Sequence, residues 1–238
     1  MTLWRRLVRF GFRLLYREMA FMYDAISWLV SGGEWRTWIL AGLTVAQPKP
    51  DEMVLEVAHG TGTLQVELAE RGLSAWGVDY SAQMVRIAGE KLRRNKFPSQ
   101  LARAKGQALP FSTGAFDVLI CTFPSEFLLE SATLSEFKRV LKPDGRGVIV
   151  LHGALIRGGG WVRLMDGLFR ITGQGRIARR DVPTSEDLAD GYQRILAKMG
   201  EAGLVTEARS VVTARGYAAV ISFVHPKIGD DTDDKAGF

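Results

Sequence analysis

At 238 residues the chain is long enough for one large α/β domain with its own core, and a composition of 47% apolar against 24% charged residues excludes wholesale disorder. The formal net charge of +5 favours anionic partners, and its excess is concentrated in Arg5, Arg6, Arg9, Arg13 and Arg17 and in a second group from Arg157 to Arg180. A lone cysteine, Cys121, excludes an internal disulfide and suits a reducing compartment.

Residues 3–30 read as helical: Leu3, Leu7, Leu14 and Leu15 recur at helical spacing, and Arg5, Arg9 and Arg13 fall four apart on another face. Arginine interrupts the apolar run, so it lacks the continuous core of a secretory signal, and the chain has no uncharged apolar stretch of about 18 residues. The expectation is a cytoplasmic protein. A loop at Ser31–Gly33 precedes a short helix from Glu34 to about Gly42, and "QPKPDE" ends this helical cap at about residue 45.

An alternating series follows. The spacing predicts strands over 53–58, 74–79, 100–105 (the weakest), 116–123 and 146–153. Helices are expected over 64–72, over 81–95 with Ser81 as N-cap, and over 131–141, where Lys142–Pro143–Asp144–Gly145 makes the stop. Residues 154–183 are rich in Gly and Arg, with Trp161, Leu164, Met165, Leu168 and Phe169 on one helical face. A capped helix over 184–203 and strands over 204–212 and 216–225 complete an α/β domain spanning 46–228. The tail, 229–238, is acidic with little to bury. Alternating strands and helices imply a doubly wound, mostly parallel seven-stranded sheet with helices on both faces and the last strand antiparallel.

"LEVAHGTGTL" (55–64) is a strand running into a glycine turn. A dinucleotide fingerprint requires a third glycine where Gln65 stands, and a P-loop requires a Lys after Gly62. Both phosphate cradles therefore fit poorly. Glu56, late in the first strand, and Asp79, ending the second, instead suit a ribose diol and a cationic amino-acid tail.

These segments resemble the class I S-adenosylmethionine-dependent methyltransferases. "VLEVAHGTG" is similar to their first motif and "GVDYSAQMVRIA" to their second. "LPFSTGAFDVLICTFPSEF" and "EFKRVLKPDGRGVIV" are similar to those that follow, in the right order and over residues 50–155. The resemblance implies S-adenosyl-L-methionine as cofactor and S-adenosyl-L-homocysteine as product. It implies that the backbone of Ala58, Gly60 and Gly62 lies against the amino-acid part, with Glu56 anchoring it. Asp79 would hold the ribose hydroxyls, Tyr80 and Met84 would flank the adenine, and Gln107 and Ala108 would lie at its edge. Thr122 and Phe123 would face the methyl group and the acceptor. Lys105 departs from the family, which often has an acidic residue there to accept from the adenine amino group.

Catalytic candidates are fewer. His152 ends the fifth strand and is either a general base or a structural histidine. Tyr23, with Asp24, resembles a family segment that covers the pocket. Glu126 is either a base or a solvated acid. His59 is assigned no catalysis, and the three scattered histidines suggest no metal. The expected reaction is in-line methyl transfer to O, N or C of a small, apolar or lipid-like acceptor. The Arg-rich segments form a lid with solvated arginines or meet an anionic membrane surface. No nucleic-acid partner is expected, and the sequence leaves the oligomeric state open. Two other classes stay open: a non-catalytic, membrane-associated protein of the same fold, and a nucleotide-dependent oxidoreductase.

Overall fold

The computed structural model describes residues 23–156 and 181–227, together with Gly160 and Gly167. The expected helix over 3–22, the apolar face from Trp161 to Phe169 and the acidic tail lie outside the described residues.

Helices α1 (Tyr23–Val30) and α2 (Trp35–Ala46) precede β1 (Met53–Val57). Then come α3 (Thr63–Glu70), β2 (Ser74–Asp79), α4 (Ala82–Arg94), β3 (Leu101–Arg103) and β4 (Phe116–Thr122). A 3-10 turn (Glu126–Leu129), α5 (Ser131–Val140), β5 (Leu141–Leu155), α6 (Ser185–Gly191), α7 (Gln193–Glu201), β6 (Val205–Val212) and β7 (Gly216–Val224) follow. Ser81 caps α4 by accepting from the Met84 N–H, and the basic residues Lys91, Arg93 and Arg94 sit in its last turn, where they oppose the negative end of the helix dipole.

The seven strands pair in the order β3-β2-β1-β4-β5-β7-β6. Strands β1 to β5 pair in parallel, and β7 runs antiparallel to both β5 and β6. The strand order reverses between β1 and β4, so a crevice opens beyond the carboxyl ends of these two strands, where sheets of this kind place ligands.

Side chains of the central strands alternate between two buried layers, as a pleat covered on both faces requires. Leu55, Val57, Leu119, Cys121 and Ile149 pack with Phe137 and Met199 on one face. Val54, Val118, Ile120, Val148 and Val150 pack with Ile39, Leu43 and Leu68 on the other. Cys121 is fully buried, and desolvation pushes its thiol pKa upward, so it stays protonated and inert.

Four local expectations need correction. The helix expected over 34–42 runs on to Ala46. The weak strand shortens to three residues, Leu101–Arg103. The helix expected over 184–203 is two helices: a Thr184/Asp187 capping box starts the first, Gly191 ends it, and Tyr192 leaves helical geometry at φ −117°, ψ 16°. Strand β5 begins at Leu141 rather than Arg146, and the Pro–Asp–Gly turn enters as a register shift against β4.

Candidate functional site

The glycine turn is built from left-handed backbone. Ala58 (φ 61°), Gly60 (φ 54°) and Gly62 (φ 78°) all lie in that region. A Cβ at Gly62 would stand 2.7 Å from the Ala88 Cβ, so only glycine lets α4 approach the turn. A Cβ at Gly60 would meet nothing within 4 Å, so that backbone faces open space. The Ala58 and His59 N–H groups both donate to the Val78 carbonyl, at 2.7 and 3.3 Å, which locks the turn to β2.

Asp79 closes the arrangement. Its Oδ2 accepts from the Gly60 N–H at 3.0 Å and its Oδ1 from the Ser81 N–H at 2.8 Å. An ionised carboxylate has about four acceptor positions, so two remain for a diol. Glu56 is 1% exposed, and its Oε2 accepts from Gln65 Nε2 at 2.8 Å. Burial pushes its pKa up to about 8 against the Gln65 hydrogen bond; Asp79 adds to the rise and Lys91 opposes it.

His59 is buried under the turn, with Nδ1 2.9 Å from the Gly60 carbonyl oxygen. That oxygen can only accept, so Nδ1 carries the proton and Nε2 keeps a lone pair, which has no protein partner among the described residues. Burial lowers the His59 pKa even though Asp79 favours its charged form.

Together these groups line a cavity of about 300 Å³. Of the residues expected at a cofactor, Glu56, Ala58, Gly60, Asp79, Tyr80, Met84 and Thr122 line it, and Gly62 shapes its floor by admitting α4. Tyr80 is 62% exposed at the rim, with the Arg103 guanidinium 5.9 Å and the Lys105 ammonium 5.7 Å from its ring centre. Gln107 and Ala108 are not part of the lining. They lead into a segment held by α5: Glu136 accepts from the Leu109 N–H, and Arg139 donates to the Leu109 and Phe111 carbonyls.

The catalytic candidates are less gathered. The His152 Nδ1 and the Tyr192 hydroxyl share a hydrogen bond at 2.5 Å, and the ring stands edge-on to Tyr217, outside the cavity lining. Glu126 is exposed at the start of the 3-10 turn, between the lining residues Ser125 and Phe127. Tyr23 opens α1, but its side chain and that of Asp24 lie outside the described residues. Sequence reasoning missed Trp35 and Ile39, which α2 brings into the cavity, and Gln65, the partner of Glu56. The i, i+4 spacing of Trp35 and Ile39 marks a shared helix face, but nothing in it says which face meets the cleft.

Residues 54–145 match a family model described as a methyltransferase domain. Over that stretch, which is under half of the chain, the sequence is similar to methyltransferases. The donor set fits S-adenosyl-L-methionine: acceptors for a diol, open backbone beside them and a buried imidazole lone pair with no partner among the described residues.

The chain is 32% identical over 142 residues to a ubiquinone/menaquinone biosynthesis C-methyltransferase (UbiE) of Geotalea uraniireducens, covering 57% of this chain and 60% of that protein. It is 33% identical over 139 residues to a demethylmenaquinone methyltransferase of Thermus thermophilus, covering 57% and 63%. The chain thus spans under two thirds of the length of these curated relatives. The fold also matches the crystal structure of YcgJ from Bacillus subtilis, with TM-score 0.56 and 14% identity over 80% of this chain and 99% of that one. Among the described residues no three His, Cys, Asp or Glu side chains gather as a metal site, and no helix is long and apolar enough to cross a membrane.

Proposed function

We propose that this protein transfers a methyl group from S-adenosyl-L-methionine to a small, apolar, quinone-type acceptor. The observation that carries this reading is the tie between the glycine turn and Asp79, which leaves two carboxylate acceptor positions over open backbone in one cavity. The quinone-type acceptor is supported by the names of the methyltransferases of Geotalea uraniireducens and Thermus thermophilus that the chain resembles.

The cofactor supplies an electrophilic methyl group on a sulfonium. Asp79 would accept from the ribose hydroxyls, and the backbone of Ala58, Gly60 and Gly62 would hold the amino-acid end. Glu56 and the His59 Nε2 lone pair offer acceptors at the buried side of the turn. Tyr80 and Met84 would flank the adenine, and Gln107 and Ala108, outside the cavity lining, would reach only its edge. Thr122 holds the mouth of β4 beside the acceptor. Positioning accounts for most of the acceleration in such a site. His152, backed by Tyr192, is the group proposed to take a proton if the acceptor arrives protonated; Tyr23 and Glu126 are the alternatives.

The exposed Trp28 and Leu29 on α1, together with the five arginines that the sequence carries in its first 17 positions, support a peripheral seat on an anionic membrane. Sedimentation with vesicles of anionic phospholipid, comparing the full chain with one lacking residues 1–20, tests that seat. Salt-insensitive or truncation-insensitive sedimentation, or none, overturns it.

The central test uses purified full chain, methyl-labelled S-adenosyl-L-methionine and reduced demethylmenaquinone. The expected result is label on a ring carbon, lost in Asp79→Ala. Absence of label with this acceptor, despite tight binding of S-adenosyl-L-homocysteine, overturns the quinone-type assignment. Absence of cofactor binding overturns the whole reading.

A further inference from the structure

The cavity has two chemically different halves. Its carboxylate and imidazole lining, Glu56, His59 and Asp79, comes from the carboxyl ends of β1 and β2. The wall contributed by α2 and the end of β4 is Trp35, Ile39, Thr122 and Phe123, with one hydroxyl and no charge. The Trp35 and Phe123 rings stack on each other, with centroids 4.4 Å apart and planes 20° apart.

Both rings are placed by specific devices. Phe123 sits in left-handed backbone at φ 51°, with its N–H held by the Val150 carbonyl at 2.7 Å. For a bulky residue this conformation costs roughly 1–2 kcal/mol, and such strain gathers at sites where a side chain must be aimed. The Trp35 N–H is held by the Ser31 hydroxyl at 2.9 Å. Helix α2 lies close on the sheet because two glycines leave room. A Cβ at Gly42 would stand 3.0 Å from the Val150 side chain, and one at Gly153 would overlap the Trp38 ring at 1.9 Å. A strained residue on one element and a close-packed helix on another thus converge to make one aromatic wall.

We propose that Trp35 and Phe123 are the acceptor-reading residues of this site: their stacked wall admits a flat ring and disfavours a saturated one of equal size. This inference rests on the methyl-transfer reading above and assigns its acceptor selectivity to two named side chains. Aromatic rings gain from offset or edge-on contact with another aromatic ring, a gain that a puckered saturated ring cannot share. The wall comes from α2 and the end of β4, whereas Glu56 and Asp79 come from β1 and β2, so it is assigned to the acceptor and not to the cofactor's ribose.

The test is calorimetry on full chain saturated with S-adenosyl-L-homocysteine, using 1,4-dihydroxynaphthalene kept reduced and its saturated counterpart, decahydronaphthalene-1,4-diol. The expected wild-type preference for the flat probe is at least about tenfold. Phe123→Gly and Trp35→Ala should abolish that preference with the affinity for S-adenosyl-L-homocysteine unchanged, and Trp35→Phe should retain most of it. Phe123→Gly also relieves the left-handed backbone, which offsets lost packing, so a role limited to packing is read from Trp35→Ala, as a lower thermal midpoint with the probe preference intact.

Equal wild-type affinity for the two probes overturns the inference. So does a preference that survives both ring deletions, or a parallel loss of affinity for S-adenosyl-L-homocysteine. Failure of wild type to bind S-adenosyl-L-homocysteine overturns the methyl-transfer reading instead, and the same probe pair on cofactor-free protein then decides the wall. If a ring deletion does not fold, the wild-type probe ratio and Trp35→Phe still decide it.

Discussion

The Gly60 N–H donates to Asp79 Oδ2 across 3.0 Å, joining the glycine turn after β1 to the end of β2. One carboxylate thus shapes the turn and keeps acceptor positions free above it. Replacing Asp79 with Ala removes a charge-assisted bond worth about 1.5–3 kcal/mol to the turn as well as the proposed ribose contacts. The expected outcome is a loss of S-adenosyl-L-homocysteine affinity of about 100-fold or more, read by calorimetry. Asp79→Asn should fall between, because its amide keeps only one acceptor oxygen.

Glu56 gives a pH dependence. Its folded-state pKa of about 8 stands above the ordinary carboxylate value of 4.5, so near pH 7 the folded protein holds a proton that the unfolded chain has released. Its contribution to stability is therefore fully present below about pH 4.5 and lost as pH rises through about 8. Thermal midpoints of Glu56→Gln should exceed wild type increasingly across that window. In the same window the affinity for cationic S-adenosyl-L-methionine should rise with pH in wild type and stay flat in Glu56→Gln.

Alanine and glycine should trade places with opposite effects in the turn. Ala58 occupies left-handed backbone at φ 61°, so Ala58→Gly is expected to stabilise by about 0.5–1 kcal/mol, the relief of strain less the added chain entropy. Gly62→Ala combines left-handed strain with the 2.7 Å approach to Ala88 and should cost at least about 2 kcal/mol. Urea midpoints at constant slope check both.

Arg146 ties α2 to β5. It donates to the Ala46 and Gln47 carbonyls at the end of α2 and to both Glu52 oxygens, which holds the Glu52 pKa at about 2. That stabilisation is present above the ordinary carboxylate value of 4.5 and is lost as pH falls through about 2. Arg146→Ala should cost about 1–3 kcal/mol in denaturant unfolding, with Arg146→Lys intermediate because it loses the two-pronged contact.

Much of this was written locally. Strand alternation, the Ser81 cap and the turn from Glu56 to Gly62 followed by Asp79 are signals carried within a few residues, and the doubly wound, mostly parallel sheet follows from the alternation. The distant relationships were not. Trp35 and Ile39 precede the turn by about twenty residues and read as one face of a capping helix. The Tyr192–His152 bond joins β5 to the junction of two helices that the periodicity merged into one. Glu52 and Arg146 are 94 residues apart, and no pattern of spacing pairs them.

Strand β7 is slotted between β5 and β6, so the flank of β5 that runs from Arg146 to Leu155 waits for the last strand of the domain. During synthesis, Val148, Ile149 and Val150 leave the ribosome some seventy residues before their partners Ser222, Ile221 and Val220. Until then an oily ribbon with open hydrogen-bonding groups is on offer to any neighbour. The nascent chain is a natural client for holding chaperones, and a stop codon before Gly216 should deliver inclusion bodies rather than a smaller working enzyme.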